Sequence, residues 1–78
     1  MERITNETIA ARRHNVNRRL TLAGVDRNVF TQRRNGAMGL DEMRPSDGAV
    51  VRSLAFGTKR EIADFLHAMM TGMDMLQP

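Results

Sequence analysis

Arginine is the residue type in this sequence that is best suited to binding a ligand. Eleven of the twelve basic residues are arginines, and seven of them lie within residues 8–36, where Asp26 is the one acid. The planar guanidinium group makes paired hydrogen bonds to phosphates, guanine edges and carboxylates. Residues 61–78, by contrast, contain three acids and no basic residue. This asymmetry predicts an anion-binding surface in the N-terminal half, with nucleic acid as the candidate ligand and a solvated basic face as the alternative.

The sequence gives little support to enzymatic chemistry. His14 and His67 are the only histidines, and they belong to no pattern of metal ligands or catalytic groups. The chain has no cysteine, which excludes disulfides and thiolate metal sites. Its glycines form no phosphate-binding fingerprint, and it has no Trp or Tyr on which single-stranded bases could stack. We therefore predict a protein that is not an enzyme and that uses no metal, cofactor or small-molecule substrate.

The stretch 22–36 carries the densest pattern of helix signals. Gly24 can end a preceding helix, and Asp26 is a good N-cap for a following one. Asn35-Gly36 is a strong stop. A helix, a glycine turn and a second helix are typical of a helix-turn-helix DNA reader, so we predict a basic helix over 26–34. The polar side chains available to nucleic acid on this helix are Arg27, Asn28, Gln32, Arg33 and Arg34.

The segment before this turn predicts a first helix from Thr5 or Asn6 to about Ala23. Its apolar residues recur at helical spacing but form only a thin stripe. Four arginines project on several sides of it: Arg12, Arg13, Arg18 and Arg19. These side chains either follow a phosphate backbone or cover neighbouring apolar surface with their aliphatic stems.

The secondary structure of the middle of the chain is harder to predict from the sequence. Leu40–Arg44 fits one turn of helix. Residues 49–56 fit a helix with Ser46 as its cap and Gly57 as its stop, but two adjacent valines and a following Phe also fit a buried strand. The helix is favoured, and the strand stays open as the alternative, because short apolar runs are poorly decided by periodicity.

The last segment predicts a long amphipathic helix. Thr58-Lys59-Arg60-Glu61 has the T-x-x-E spacing of a capping box, which opens a helix. A broad apolar stripe follows, formed by Ile62, Phe65, Leu66, Met69, Met73 and Leu76. The stripe is wide for a chain of 78 residues. We predict that it is shared between the core and the interface of a homodimer.

Together these elements predict a single domain over residues 1–78 with an all-α fold. The expected architecture is a small bundle of about four helices that contains a helix-turn-helix-like pair and the long C-terminal helix. No apolar run is long enough to span a membrane, and Met1–Arg3 does not begin a signal peptide. We therefore expect a cytoplasmic protein, and the size of the chain suggests a bacterial or phage source.

A family resemblance adds to these predictions. The sequence A-G-V-D-R-N-V-F-T-Q-R-R, residues 23–34, resembles the turn and recognition helix of helix-turn-helix regulators of the lambda-repressor/Cro type. Pro45-Ser46, the apolar run after it and Gly57 are similar to the helix that follows in that family. The resemblance covers about residues 16–57. It implies a helical domain that binds duplex DNA.

The resemblance also implies roles for the polar residues of the expected reading helix. Arg27, Asn28 and Gln32 would face base edges, while Arg33 and Arg34 would face phosphates. The expected function is that of a small DNA-binding transcriptional regulator. The alternative is a small inhibitor or adaptor that binds a protein and docks its arginine-rich face on an acidic surface of the partner.

Overall fold

The computed structural model describes residues 4–76, without the side chains of Arg34 and of residues 74–76. The elements are α1 (Asn6–Leu22), β1 (Asn28–Arg34), β2 (Ala37–Arg44), β3 (Ala49–Gly57) and α2 (Lys59–Leu76). The strands form one antiparallel sheet in the order β1-β2-β3, and both helices pack on the same face of it. The fold is therefore α+β, and the predicted all-α bundle of about four helices is wrong.

The two helices lie where the sequence predicted helices. Thr5 caps α1, since its Oγ1 accepts a hydrogen bond from the Thr8 amide at 3.2 Å. Gly24, at φ +74°, ends α1, and the amide that follows it bonds to the Leu20 carbonyl at 3.0 Å. Neither described helix is long and apolar enough to cross a membrane.

Residues 28–34 form a strand, so the predicted reading helix over 26–34 is wrong. Asn35 and Gly36 have φ values of +49° and +79°, which is the geometry of a two-residue type I′ hairpin turn. The dipeptide interpreted as a helix stop therefore joins β1 to β2, with Arg34 opposite Ala37. The β-branched and aromatic residues at 29–31 suit the pleated surface of a sheet better than a helix.

The two shorter helices expected in the middle of the chain are also strands. Leu40–Arg44 lies in β2, so the single helical turn expected there is wrong. Residues 49–56 lie in β3, so the strand left open as the alternative for this segment is correct, although β3 is largely exposed and not buried. Residues 45–48 form the turn between them, in which the Gly48 amide bonds to the Arg44 carbonyl at 2.7 Å. Residues 49–56 form a strand and not a helix because they contain two adjacent β-branched residues and pair with β2, which is distant in the sequence.

The core lies between the helices and one face of the sheet. It is formed by Ile9, Val16, Val29, Leu40, Ile62, Ala63 and Leu66, all of which are buried. Half-buried side chains close its margins, among them Leu54, Phe65, Met69 and Met73. Ile62 and Leu66 are fully buried inside this chain. These two members of the predicted dimer stripe are therefore core residues and are not available to a partner.

The strand register assigns each side chain to one of two faces of the sheet. Val29 and Leu40 point to the helices, whereas Phe30 and its cross-strand partner Asp41 belong to the opposite face, which neither helix covers. We call this second surface the open face. The pairing of β2 with β3 is interrupted twice by irregularities, between Leu40 and Asp41 and between Glu42 and Met43.

Candidate nucleic-acid interface

A groove with a volume of about 470 Å³ lies where α1, the β1–β2 hairpin and the start of α2 meet. Each of the three elements contributes one basic residue to its lining: Arg13 from α1, Arg33 from β1 and Lys59 from α2. Hydroxyl and amide groups complete the polar part of the lining, from Asn6, Thr31 and Thr58. We call this surface the basic groove. Three cations and several hydrogen-bond donors suit it to phosphate groups.

The sheet register explains why these residues meet. Arg33 pairs with Met38, and Met38 pairs with Gly57 on the far strand. Gly57 is the last residue of β3, so Lys59, two residues later, begins α2 beside the hairpin. Arg33 and Lys59 are 26 positions apart in the chain and are brought to the same groove by the two antiparallel pairings.

Arg13 is fixed on the flank of α1 that faces β1. Its Nη1 donates a hydrogen bond to Thr31 Oγ1 at 3.3 Å, and the side chain is half-buried. One helical turn later, the Asn17 amide group bonds to the backbone of Val29. These contacts hold α1 against β1, so the Arg13 guanidinium is presented from a rigid position. Arg33 and Lys59 are both exposed.

The start of α2 is stabilised by a complete capping box. The Glu61 amide donates to Thr58 Oγ1 at 3.2 Å, and the Thr58 amide donates to Glu61 Oε1 at 3.1 Å. The Glu61 carboxyl group lies on Gly57, where an added Cβ would come within 2.8 Å of it. This packing leaves no room for a larger residue at 57 unless Glu61 moves, and it fixes Lys59 at the edge of the basic groove.

The opposite end of the sheet has a different charge balance. Glu42 lies between Arg27 and Arg52, with N–O distances of 3.2 Å and 3.3 Å. Arg44 pairs with Asp47 at 3.5 Å. Two acids therefore offset most of the charge of three arginines at this end. The described lining of the basic groove has three basic side chains and no acidic one, with the Glu61 carboxyl group beside it on Gly57. Paired charges leave the β2–β3 turn closer to neutral, and such a separation steers an anionic polymer to one surface.

Only part of the predicted DNA-binding set lies in the basic groove. Arg13 and Arg33 line it, and the Arg34 side chain lies outside the described part of the structure. Arg12 donates to the Ala63 carbonyl at 3.0 Å and so joins the two helices. Arg18 and Arg19 lie on another side of α1, in a second cavity of about 410 Å³.

The three residues expected to read base edges lie elsewhere in the structure. Arg27 donates to the Asp26 carbonyl at 2.6 Å and pairs with Glu42. Gln32 donates to Asp41 Oδ2 at 3.1 Å on the open face. Asn28 is the first residue of β1 and is half-buried. None of the three lines the basic groove.

Sequence reasoning missed Lys59, Thr31 and Thr58 as members of the site. The signal for two of them was present, because the capping box Thr58–Glu61 marks a helix N-terminus with a lysine in its first turn. Thr31 carried no such signal, since its position in the groove depends on the strand conformation of β1.

Most of the other residues named in the sequence analysis lie in the core or at the surface. Phe65, Met69 and Met73 are half-buried and pack against the core, while the Leu76 side chain lies outside the described part of the structure. His14 and His67 are exposed. Within the described residues, no group of three acidic or histidine side chains is placed to hold a metal ion.

Comparison with family models, with curated proteins and with solved structures finds no significant match to the chain.

Proposed function

We propose that this protein binds the phosphate backbone of duplex nucleic acid through the basic groove. The observation that carries the proposal is the convergence of Arg13, Arg33 and Lys59 from three different elements. Backbone contacts by arginine and lysine supply most of the affinity in sequence-independent binding to duplexes. On this proposal the chain is a small regulator or architectural protein that recognises the charge and spacing of a duplex.

A duplex is a better ligand for this surface than a single strand. Single-strand binders stack bases on aromatic side chains, and the described lining of the basic groove contains no aromatic residue. Phe30 and Phe56 belong to the open face, while Phe65 packs against the core. The groove therefore offers charge and hydrogen bonds without a stacking platform, which favours a ligand whose bases are already stacked on each other.

Titration of labelled duplexes across a series of salt concentrations tests the proposal. Duplex DNA, duplex RNA of the same sequence and each single strand should be measured in parallel by fluorescence anisotropy. We expect both duplexes to bind more tightly than the single strands. Affinity should fall linearly with salt on a log–log scale, since bound phosphates release counterions. The preference between DNA and RNA identifies the natural form of the duplex.

The variant Arg33→Gln/Lys59→Gln should bind at least about tenfold more weakly at low salt, and its log–log slope should be smaller by about two units for DNA. Arg44→Gln/Arg52→Gln is the matched control, because it removes the same charge from the neutral end. No duplex binding at low salt, or an equal loss in the control variant, would refute the proposal.

The second candidate is a protein-binding adaptor, as the alternative from the sequence expected. The cavity beside α1 favours it, because Arg18 and Arg19 there lie next to the apolar side chains of Leu22 and Met70. Leu22 is 75% exposed. Such a surface suits an acidic amphipathic partner. If the duplexes fail to bind in the titration above, this candidate becomes the preferred function.

A further inference from the structure

The tip of the β1–β2 hairpin is an asparagine followed by the residue type that has no side chain, Asn35-Gly36. In such a pair the backbone nitrogen of the glycine can approach the side-chain carboxamide of the asparagine with little steric hindrance. Both residues are exposed, and no described atom beyond the chain neighbours lies within 4 Å of a Cβ placed on Gly36. Gly36 also lines the basic groove. The hairpin tip therefore places a chemically reactive pair at the edge of the candidate site.

The backbone amide of Gly36 is not engaged in the sheet. The ladder between β1 and β2 ends at the pairing of Arg34 with Ala37, and the two turn residues lie beyond it. Within the described chain the Gly36 N–H donates no backbone hydrogen bond outside the strands. A nitrogen without a protein acceptor can turn towards the neighbouring carboxamide without the loss of a hydrogen bond.

The other turn of the sheet contains a similar pair whose reacting groups are held. Asp47-Gly48 could form the same cyclic imide, but the Gly48 amide donates to the Arg44 carbonyl at 2.7 Å. Asp47 Oδ1 accepts from the Ala49 amide at 3.0 Å and pairs with Arg44 at 3.5 Å. The structure thus distinguishes two turns of similar sequence, and the one at the basic groove is free to react.

We infer that Asn35 is a site of spontaneous deamidation, which adds a carboxylate beside the basic groove. The Gly36 nitrogen attacks the Asn35 Cγ, and the new C–N bond closes a succinimide ring. The carboxamide nitrogen leaves as ammonia and takes up the proton that the Gly36 nitrogen loses. Water then adds to either imide carbonyl and breaks the ring C–N bond there, so the product is aspartate or isoaspartate. Solvent water is the co-reactant, and no oxidant or reductant is needed.

Both products should weaken anion binding by the groove. The new carboxylate lies near Gly36 and attracts the cations of Arg33 and Lys59, which would otherwise contact phosphate. Isoaspartate also adds a methylene group to the main chain, in a two-residue turn whose geometry matches the twist of the strands. The expected loss of duplex binding rests on the proposed function, whereas the modification itself does not.

Mass spectrometry of the folded protein tests the modification. Trypsin releases residues 35–52 as one peptide, because Pro45 prevents cleavage after Arg44, and Asn35 is the one amide side chain in it. This peptide should gain the mass of an amide-to-acid conversion during incubation at mildly alkaline pH. An Asn35 amide that survives in the folded protein, while the same protein converts in urea, would overturn the inference.

The variant Asp47→Asn is the matched control, because it places the same dipeptide in the β2–β3 turn. Asp47 is exposed, so the fold should be kept. Position 47 should convert about tenfold more slowly than Asn35, since its reaction sacrifices the hydrogen bond of the Gly48 amide. Fragmentation of the peptide separates the two positions. Equal rates at both would overturn the argument from the free Gly36 amide.

Duplex titration of Asn35→Asp tests the consequence for the groove. This variant reproduces the aspartate product, and it should bind about threefold more weakly than the wild type at low salt. Its log–log salt slope should be smaller by about one unit. Asn15→Asp makes the same charge change outside the basic groove and should bind as the wild type does. Wild-type affinity of Asn35→Asp, or an equal loss in Asn15→Asp, would overturn this consequence. A wild-type protein that binds no duplex would refute the proposed function, and mass spectrometry would still decide the modification.

Discussion

Asn17 stabilises the outer edge of β1 with both ends of its amide group. Its Nδ2 donates to the Val29 carbonyl at 3.1 Å, and its Oδ1 accepts from the Val29 amide at 2.7 Å. Val29 is buried, so these backbone groups would otherwise lack a partner in a largely dry environment. One side chain therefore provides the pair of hydrogen bonds that a neighbouring strand would provide.

Replacement of Asn17 by alanine should lower the free energy of unfolding by about 1–3 kcal/mol, because a buried amide and carbonyl lose their partners. Chemical denaturation measures the change. Asn15→Ala is the control, since Asn15 is exposed on the same helix and should change stability by less than about 0.5 kcal/mol. Equal stabilities of the two variants would contradict the structural role of Asn17.

At the scale of the elements, two glycines should respond in opposite ways to the same substitution. Gly36 has φ +79° in the hairpin turn, whereas Gly72 lies inside α2 with no atom within 4 Å of an added Cβ. Gly36→Ala should destabilise the protein by about 1 kcal/mol because alanine is strained at positive φ. Gly72→Ala should stabilise it by up to about 1 kcal/mol because alanine favours helices. Thermal unfolding of both variants measures these shifts.

The helix ends could be predicted from the sequence because capping contacts join residues that are close together in the chain. Thr58 and Glu61 meet within one turn, and Gly24 ends α1 through contacts with residues just before it. The strands were missed because their pairing is not local. Asn35-Gly36 serves equally as a helix stop and as a hairpin turn, and the choice depends on the partner strand, residues 37–44.

The same distinction between local contacts and long-range pairing applies to the candidate site. Two of the arginines in the excess before residue 36, Arg13 and Arg33, line the basic groove. The capping box marked Lys59 as part of a helix start, but its place in the groove depends on the pairing of Met38 with Gly57. Arg27 was expected to contact base edges, but it lies at the other end of the sheet and pairs with Glu42 on the β2 strand.

At the scale of the whole molecule, the basic groove and the open face should act independently. The basic groove lies on the helix side of the sheet, whereas Ser53 and Phe56 lie on the opposite side. Variants of distant surfaces usually have additive effects. Phe56→Asp should therefore bind a duplex with wild-type affinity in the anisotropy titration, unlike Arg33→Gln/Lys59→Gln. If Phe56→Asp weakens duplex binding as much as Arg33→Gln/Lys59→Gln does, the two faces of the sheet are coupled, and the arrangement described above is incorrect.

The amide group of Asn17 also limits how far the sheet can grow. An open-ended fibre needs a free strand edge on both sides of every subunit, so that each copy can pair with two others. Here the backbone of Val29 is already occupied on the β1 side, and an incoming strand would have to displace Asn17 to continue the sheet there. Asn17 therefore obstructs the addition of a strand at Val29, on the β1 edge of the sheet.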